Sequence, residues 1–265
     1  FIFGPWFFPR LEVQGAALAV GIAHTIGFFV SLSLVRSRRV KIFLPYSEMT
    51  NVRWSTFKEL FKKGVPTTVE QASWAVGALV VMSYAGTMGV TILTTHTIFI
   101  RIQNILSMVY LGFSLAAMSE MGQNLGAQNK IAAEHGARAA HRAMTVFVGI
   151  IVIAMIVFTK PFVLIFNNEP ETLALAQKAV YFFALAQVPK ALNNVISGNL
   201  RGIGDLNWLM LTVIVFVLSF EVGLNYWLVY SVGIGLGGLW AVQATDEGIR
   251  FALNYWRFSR GAWKK

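Results

Sequence analysis

A carboxylate and an amide stand inside an apolar run in the first third of the chain. Glu70 and Gln71 follow a basic segment, KKGVP (62–66), and are embedded in the apolar run that continues to residue 88. Ionisable residues within a membrane span are rare and costly, so they indicate functional sites by default. Glu70 is therefore predicted to belong to a functional site, and Gln71 to line the same space.

A longer polar stripe follows the apolar run at residues 173–200. Gln187, Lys190, Asn193, Asn194 and Ser197 recur at helical spacing, so they share one face of a helix. Because each unpaired polar group would be costly against lipid, this face must meet other helices or a water-filled cavity.

Two shorter polar sets lie in neighbouring apolar runs. Arg101 and Asn104 follow one helical face, and Glu221 precedes Asn225 by four positions. A shared polar cavity is the preferred interpretation, and a set of internal ion pairs that hold the bundle together is the alternative. The predicted cavity residues are Gln71, Arg101, Asn104, Lys190, Asn193, Asn194 and Glu221.

The last apolar run carries charges that can neutralise one another. Asp246 and Arg250 are four positions apart, which favours a structural ion pair within one helix. The chain has no cysteine, and His96 stands isolated. No nucleophile–base pair or metal cluster can be assembled, so neither a catalytic site nor a metal site is predicted.

The composition defines the class of protein. Hydrophobic residues make up 56% of the 265 residues, charged residues 13%, and the mean hydropathy is +0.60. Apolar runs of about 20 residues, enough to cross a bilayer, recur along the chain. We therefore predict an all-α polytopic membrane protein with spans at residues 11–35, 65–88, 91–116, 139–159, 173–200, 207–230 and 236–257.

The basic residues are unevenly distributed between the predicted loops. Sixteen of the 22 Lys and Arg residues fall on one side of the predicted membrane, which accounts for the net charge of +10 without a nucleic-acid partner. The C-terminus is therefore predicted to be cytoplasmic, in a multi-pass protein of the plasma (inner) membrane. Residues 36–63 are too charged to span, and Trp54, Phe57 and Leu60 predict an amphipathic surface helix that ends at Gly64.

Five segments, in order, carry a family resemblance. The chain resembles the second half of the multidrug and toxic compound extrusion (MATE) transporters at GVPTTVEQ (64–71), GQNLGAQNK (122–130), NLRGIGD (199–205), GIGLGGLW (233–240) and RFSRGAW (257–263). The segment FGPWFFPRLEVQGAALA (3–19) is similar to the junction before the last helix of that family's first lobe.

The resemblance implies a six-helix bundle, the second lobe of a two-lobed transporter, preceded by one to two helices of the first lobe. Residues 1–35 would end the first lobe, 36–63 would be a basic cytoplasmic linker, 64–258 the second lobe, and 259–265 a basic tail. The chain would be a fragment whose partners include the missing N-terminal lobe helices of the same protein, a small-molecule substrate and membrane lipid.

The resemblance also implies antiport of cationic or amphipathic small molecules against protons or sodium ions, with no cofactor besides that ion. Glu70 takes the position of a cation ligand in the sodium-coupled branch. Where that branch tends to carry an aspartate, eleven residues before the arginine of the LRG segment, this chain has Lys190, which favours proton coupling or a structural ion pair with Glu70. The alternatives are a flippase of a lipid-linked intermediate and, with less support, an intramembrane enzyme or a non-transporting subunit.

Overall fold

A computed structural model describes residues 12–37, 53–261 and 263. All elements in these ranges are helical, in agreement with the predicted all-α class. The chain divides into two units, Phe1–Phe61 and Lys62–Lys265, which are considered separately. The helices are α1 (Glu12–Arg36), α2 (Trp54–Thr87), α3 (Val90–Gly126), α4 (Lys130–Val157), α5 (Thr159–Leu164), α6 (Pro170–Gly202), α7 (Leu206–Val232, with π-helical segments) and α8 (Leu236–Ser259).

The seven predicted spans overlap with α1, α2, α3, α4, α6, α7 and α8, and the boundaries differ most at the start of α2, the end of α3 and the start of α4. Helix α3 continues to Gly126, ten residues past its predicted end, and α4 begins at Lys130, nine residues before its predicted start. The predicted helix end at 1–8, most of the linker and residues 262, 264 and 265 of the tail lie outside the described residues.

The first unit contains α1 and the beginning of α2. The apolar side chains of α1 are exposed in this unit, as expected of a helix whose surroundings are lipid or other helices. At the start of α2, the Trp54 and Phe57 rings stack 5.2 Å apart, and Phe57 and Phe61 stack 6.0 Å apart. These rings are exposed along one side, as the predicted amphipathic pattern requires.

The predicted break at Gly64 is wrong. Helix α2 runs without interruption from Trp54 through Gly64 and Pro66 to Thr87. Glycine and proline lower helix stability, proline by about 3 kcal/mol, but they do not forbid a helix that neighbouring residues support. The positive backbone φ that usually ends a helix is found at other described glycines, among them Gly89 and Gly204, and not at Gly64.

Helix α6 is the central helix of the second unit and packs against α3, α4 and α8. The core contains an aromatic cluster in which Phe99 of α3 stacks on Phe183 of α6 with centroids 4.5 Å apart. The Trp240 ring of α8 meets Phe183 edge-on at 4.6 Å. This cluster fixes the positions of α3, α6 and α8, and hence of the polar stripe one turn further along α6.

Close approach between α3 and α6 depends on glycine. A Cβ atom on Gly198 would collide with the carbonyl oxygen and the hydroxyl of Ser114, and one on Gly202 would lie 2.7 Å from the Met118 carbonyl oxygen. Small residues at these positions let the two backbones meet, as is usual for helices packed in a membrane.

Four of the helices are long and apolar enough to cross a membrane by composition: α1 over Ala17–Arg36, α3, α4 and α7. Helices α2, α6 and α8, also predicted as spans, are outside this set. They carry the buried charges described below, and the same polar residues that lower their hydropathy form the candidate site.

Helix α7 is unusual because two of its segments, Val217–Leu224 and Leu228–Val232, are π-helical. Such segments are rare and occur frequently at functional sites. Glu221 lies in the first of them and is 5% exposed.

Candidate functional site

Glu70 is paired with the arginine at the end of the polar stripe. The Arg201 guanidinium of α6 donates to the Glu70 carboxylate of α2 at 2.5 Å, and both side chains are largely buried. The sequence left open whether Glu70 would meet Lys190. The structure instead places Lys190 eleven residues from Arg201 along α6, which is about 16 Å of helix rise.

Lys190 is engaged by a carboxylate of α8. Its ammonium lies 3.6 Å from Glu247, and the other Glu247 oxygen lies 3.1 Å from Arg250. Arg250 also binds Asp246 through two contacts, of 2.5 and 3.1 Å. The Asp246–Arg250 pair therefore belongs to a larger cluster of four charges, in which two cations face two carboxylates.

Amides extend this charge cluster from α6 to α7. Asn193 donates to Glu247 at 2.8 Å and accepts from Asn254 at 2.9 Å, and Asn254 accepts in turn from the Trp208 indole at 2.8 Å. Because each buried group has a partner, the network can persist inside the bundle without water. Asn194, half-buried, donates to the Lys190 carbonyl within its own helix.

Trp74 of α2 covers both cations of the cluster. Its ring lies 4.4 Å from the Arg250 guanidinium and 5.2 Å from the Lys190 ammonium. Both distances are within the range of a cation–π interaction. Sequence reasoning missed Trp74, although its position four residues after Glu70 places it on the same side of α2.

A further ion pair joins the end of α6 to the end of α8. Arg257 donates to Asp205 at 2.8 Å, and its guanidinium lies 5.1 Å from the Trp208 ring. Asp205 ends the NLRGIGD segment and Arg257 begins RFSRGAW, so two segments of the family resemblance contact each other.

Two cavities lie between α2 and the rest of the second unit. The larger, about 530 Å³, is called the aromatic cavity and is lined by Gln71, Trp74, Ala75, Ala78, Val81, His96, Ile100, Gln103, Asn104, Ser107, Lys190, Glu221, Leu239, Trp240 and Gln243. The smaller, about 190 Å³, is called the polar cleft and is lined by Glu70, Gln71, Trp74, Ser107, Lys190, Asn193, Asn194, Ser197, Arg201, Leu209, Val213, Glu247, Arg250 and Asn254.

Six of the seven predicted cavity residues line one or both of these spaces. Gln71 and Lys190 line both, Asn104 and Glu221 line the aromatic cavity, and Asn193 and Asn194 line the polar cleft. Arg101 does not: it is exposed on α3 and lines neither. Arg101 precedes Asn104 by almost one full turn, so the two residues share a face of α3 in the sequence pattern. At this level of α3, however, the buried face is the one that carries Phe99 and Gln103.

Besides Trp74, the structure adds three residues that sequence reasoning did not select. Gln103 accepts a hydrogen bond from Gln187 at 3.1 Å, and His96 packs 5.3 Å from the Trp240 ring. Glu247 links both cations of the charge cluster. The signal for Glu247 was present, since it stands three positions before Arg250 and can pair with it as Asp246 does.

Glu221 differs from the other carboxylates that line the two cavities. Its Oε2 accepts one long bond, 3.4 Å, from Asn225, and its Oε1 has no hydrogen-bond partner among the described residues. No basic nitrogen lies within 4.0 Å of it in the ranges that the structure describes. Across those same ranges, no group of three His, Asp or Glu side chains could hold a metal ion.

Together, the buried charges, the glycine-mediated helix contacts and the two cavities define a polytopic helical membrane protein with a polar interior. The MatE family model matches residues 66–227, and the chain belongs to this family, the MATE transporters. This is the family that the resemblance predicted.

Relatives in several bacteria match nearly the whole chain. It is 25% identical to the uncharacterized transporter YisQ of Bacillus subtilis over 99% of its length, and 26% identical to the probable multidrug resistance protein NorM of Thermotoga maritima over 100%. It is 28% identical to the probable multidrug resistance protein NorM of Brucella suis over 98%. The chain spans only 57%, 56% and 56% of these relatives, respectively.

Solved structures share the fold. A transporter of the MOP superfamily from Pyrococcus furiosus, described as having a binding pocket of reverse polarity, superposes with a TM-score of 0.87 at 20% identity, covering 100% of this chain and 60% of that one. An outward-facing multidrug resistance MATE transporter gives a TM-score of 0.69 at 19% identity, covering 75% and 44%.

Proposed function

We propose that the full-length protein exports cationic or amphipathic small molecules by antiport, driven by protons or sodium ions. The observation that carries this proposal is the aromatic cavity, in which two tryptophan rings and five aliphatic side chains stand beside eight polar side chains. Its volume of about 530 Å³ is in the range of small-molecule sites. Multidrug resistance in the NorM relatives is consistent with such a cavity.

Glu70 is the proposed coupling residue. A proton or a sodium ion that binds its carboxylate must compete with Arg201, which is held 2.5 Å away. Occupancy by the ion would release Arg201, and the contact between α2 and α6 would then change. A ligand shifts a conformational equilibrium only through such a difference in contacts between the two states.

Membrane orientation follows from the charge distribution. We propose a multi-pass protein of the plasma (inner) membrane with its C-terminus in the cytoplasm, so the Glu70–Arg201 pair lies toward the cytoplasmic side and Glu221 lies deeper. Binding or release of the coupling ion would decide which side of the membrane the aromatic cavity opens to, and substrate would enter from that side.

A flippase of lipid-linked intermediates is the second candidate. Such a substrate carries a pyrophosphate, which requires uncompensated cations. Lys190, Arg201 and Arg250 each face a carboxylate, and this favours the exporter.

The test is export of ethidium by cells that express the full-length protein, compared with binding of a lipid pyrophosphate to the purified protein. Export without lipid binding is the expected result. Lipid pyrophosphate binding without ethidium export would favour the flippase.

A further inference from the structure

A third cavity lies between α4, α6 and α8, and we call it the lateral cavity. Its volume is about 320 Å³, at the lower end of the range for small-molecule sites. Among the described residues, none that lines the lateral cavity also lines the aromatic cavity or the polar cleft. The lateral cavity is therefore separate from the proposed export site.

The lateral cavity carries one unmatched positive charge. Arg138, Arg142 and Glu134 of α4 all line it. Arg138 donates to the Glu134 carboxylate, so these two charges cancel. Arg142 is exposed, and no carboxylate of the described residues lies within 4.0 Å of it. Its guanidinium is therefore available to an anion, and the planar set of N–H donors matches the geometry of a phosphate.

Aromatic rings form much of the remaining wall. The His141 ring of α4 lies edge-on to the Tyr255 ring of α8 with centroids 6.4 Å apart, and Trp263 stacks on Phe258 at 5.2 Å. All four residues line the lateral cavity, and Tyr255 is exposed. Tyrosine and tryptophan are enriched where a membrane protein meets the lipid headgroups. The composition of this wall is typical of that level of the membrane.

An apolar stripe leads away from Arg142 along α4. Val146, Ile150, Ile153 and Val157 follow Arg142 at steps of three or four residues, so all five share one face of the helix. The four apolar side chains are between 62% and 65% exposed. From Val146 to Val157 the stripe is about 16 Å long, close to the hydrocarbon thickness of one leaflet, about 15 Å.

This face of α4 does not belong to the space between α2 and the bundle. All residues of α4 are described, and none of them lines the aromatic cavity or the polar cleft. The stripe lies within the predicted span 139–159, and Arg142 stands near the end of that span which is predicted to be cytoplasmic. The same face thus places a cation at headgroup level and an apolar surface at the level of the acyl chains.

We propose that the lateral cavity binds the phosphate of an acidic phospholipid of the cytoplasmic leaflet, with Arg142 on the phosphate and one acyl chain along Val146, Ile150 and Ile153. A soluble phosphate would use the guanidinium alone and leave the apolar stripe uncovered. A zwitterionic phospholipid would bring a second cation towards Arg142, so the cavity favours a headgroup with a net negative charge.

The experiment counts the lipids bound to the purified full-length protein in detergent by native mass spectrometry, during titration with phosphatidylglycerol or phosphatidylcholine. We expect the wild type to bind the first phosphatidylglycerol at least about fivefold more tightly than the first phosphatidylcholine. Arg142→Gln should weaken the binding of phosphatidylglycerol by about fivefold, the contribution of one arginine near an acidic headgroup, and should leave phosphatidylcholine unaffected.

Two variants serve as controls. Lys62→Gln removes an exposed cation on the same predicted side of the membrane, outside the lateral cavity, and should bind phosphatidylglycerol as the wild type does. Arg142→Lys keeps the charge and should retain most of the preference for phosphatidylglycerol. Because Arg142 is exposed, Arg142→Gln should unfold at the wild-type temperature when no lipid is added, which separates loss of the site from loss of the fold.

Inorganic phosphate distinguishes a lipid headgroup from a soluble anion. Added in millimolar excess, it should not displace phosphatidylglycerol from the wild type, because it cannot cover the apolar stripe. Displacement would assign the lateral cavity to a soluble anion and overturn the lipid proposal.

The proposal is also overturned if Arg142→Gln binds phosphatidylglycerol as tightly as the wild type, if Lys62→Gln weakens binding as much as Arg142→Gln does, or if the wild type does not discriminate between the two lipids. Each of these results would leave the proposed export function unaffected, since the lateral cavity and the aromatic cavity have separate linings.

Discussion

The carboxylate of Glu70 and the guanidinium of Arg201 meet at 2.5 Å, and this contact joins α2 to the end of α6. Helix α2 otherwise touches the bundle at few points, among them Trp74 over Lys190 and Tyr84 at Val222. The space that remains between α2 and the bundle forms the two cavities. An ion that breaks the Glu70–Arg201 pair therefore loosens the contact between α2 and α6. Helix α2 forms one wall of both cavities, so their shape would change.

Neutralising Glu70 tests its proposed coupling role. Glu70→Gln should slow ion-driven drug exchange by about tenfold or more, equivalent to about 1.4 kcal/mol, because the amide can neither take up a proton nor bind a cation as strongly. Exchange is measured in vesicles that contain the full-length protein. Arg201→Gln is the matched partner variant and should also impair exchange. Undiminished exchange by Glu70→Gln contradicts the coupling role.

Removing Arg250 should be strongly destabilising. Arg250→Met leaves Asp246 and one oxygen of Glu247 without a cation, and breaking a buried ion pair in this way costs about 3–5 kcal/mol. The measurement is the thermal unfolding of the purified protein in detergent.

Arg138→Gln is the control for Arg250, since it disrupts the exposed Arg138–Glu134 pair and should cost at most about 1 kcal/mol. Asp246→Asn combined with Arg250→Met should recover part of the stability, because fewer charges are left unpaired. Equal unfolding temperatures for Arg250→Met and Arg138→Gln would contradict a structural role of the cluster.

Adding a single methyl group between α3 and α6 should strongly destabilise the fold. Gly198→Ala places a Cβ against the Ser114 backbone, which cannot move aside as a flexible side chain can. We expect about 1–3 kcal/mol of destabilisation, as for overpacked cores. Gly149→Ala, in α4 with no atom within 4 Å of the new Cβ, should be neutral or slightly stabilising. Similar unfolding temperatures for the two variants would show that α3 and α6 are not packed so closely.

The tryptophan that covers the cations is predicted to contribute to substrate binding. Trp74→Leu removes an aromatic wall of the aromatic cavity and should weaken ethidium binding by about fivefold, corresponding to a cation–π contribution near 1 kcal/mol. Trp256→Leu is the control, because that ring stacks on Arg260 at the exposed end of α8. If Trp74→Leu bound ethidium with unchanged affinity, the Trp74 ring would not contribute to substrate binding.

The orientation can be measured directly because this chain contains no cysteine. A cysteine introduced at Arg260 should react with an impermeant thiol reagent only from the cytoplasmic side, and one introduced at Asn168 only from the opposite side. The full-length background must first be cleared of any cysteine elsewhere. The reversed pattern of labelling would contradict the orientation inferred from the basic loops.

Patterns within one helix predicted most of what the structure contains. The seven long helices, the shared face of Gln187, Lys190 and Asn193, and the Asp246–Arg250 contact all follow from local spacing. The family and the all-α class were confirmed because composition and ordered segments are properties of the chain itself.

Contacts between helices were harder to predict. Whether Glu70 meets Lys190 or Arg201 depends on how far α2 is displaced along α6. That displacement cannot be predicted from the spacing of residues within either helix. Arg101 was predicted to line the cavity but lines neither cavity, and the reason is related. The polar face of α3 is wider than the part of that helix that the bundle buries. The break at Gly64 was wrong because propensity is a weak guide where a helix is supported on both sides of a glycine.

The most direct measurement of ion-coupled export uses proteoliposomes that contain only the full-length protein. An imposed proton or sodium gradient should drive ethidium across the membrane against its own gradient, and Glu70→Gln should slow this movement by about tenfold or more. Ethidium movement that is indifferent to both gradients, or no movement at all with folded protein, would contradict antiport.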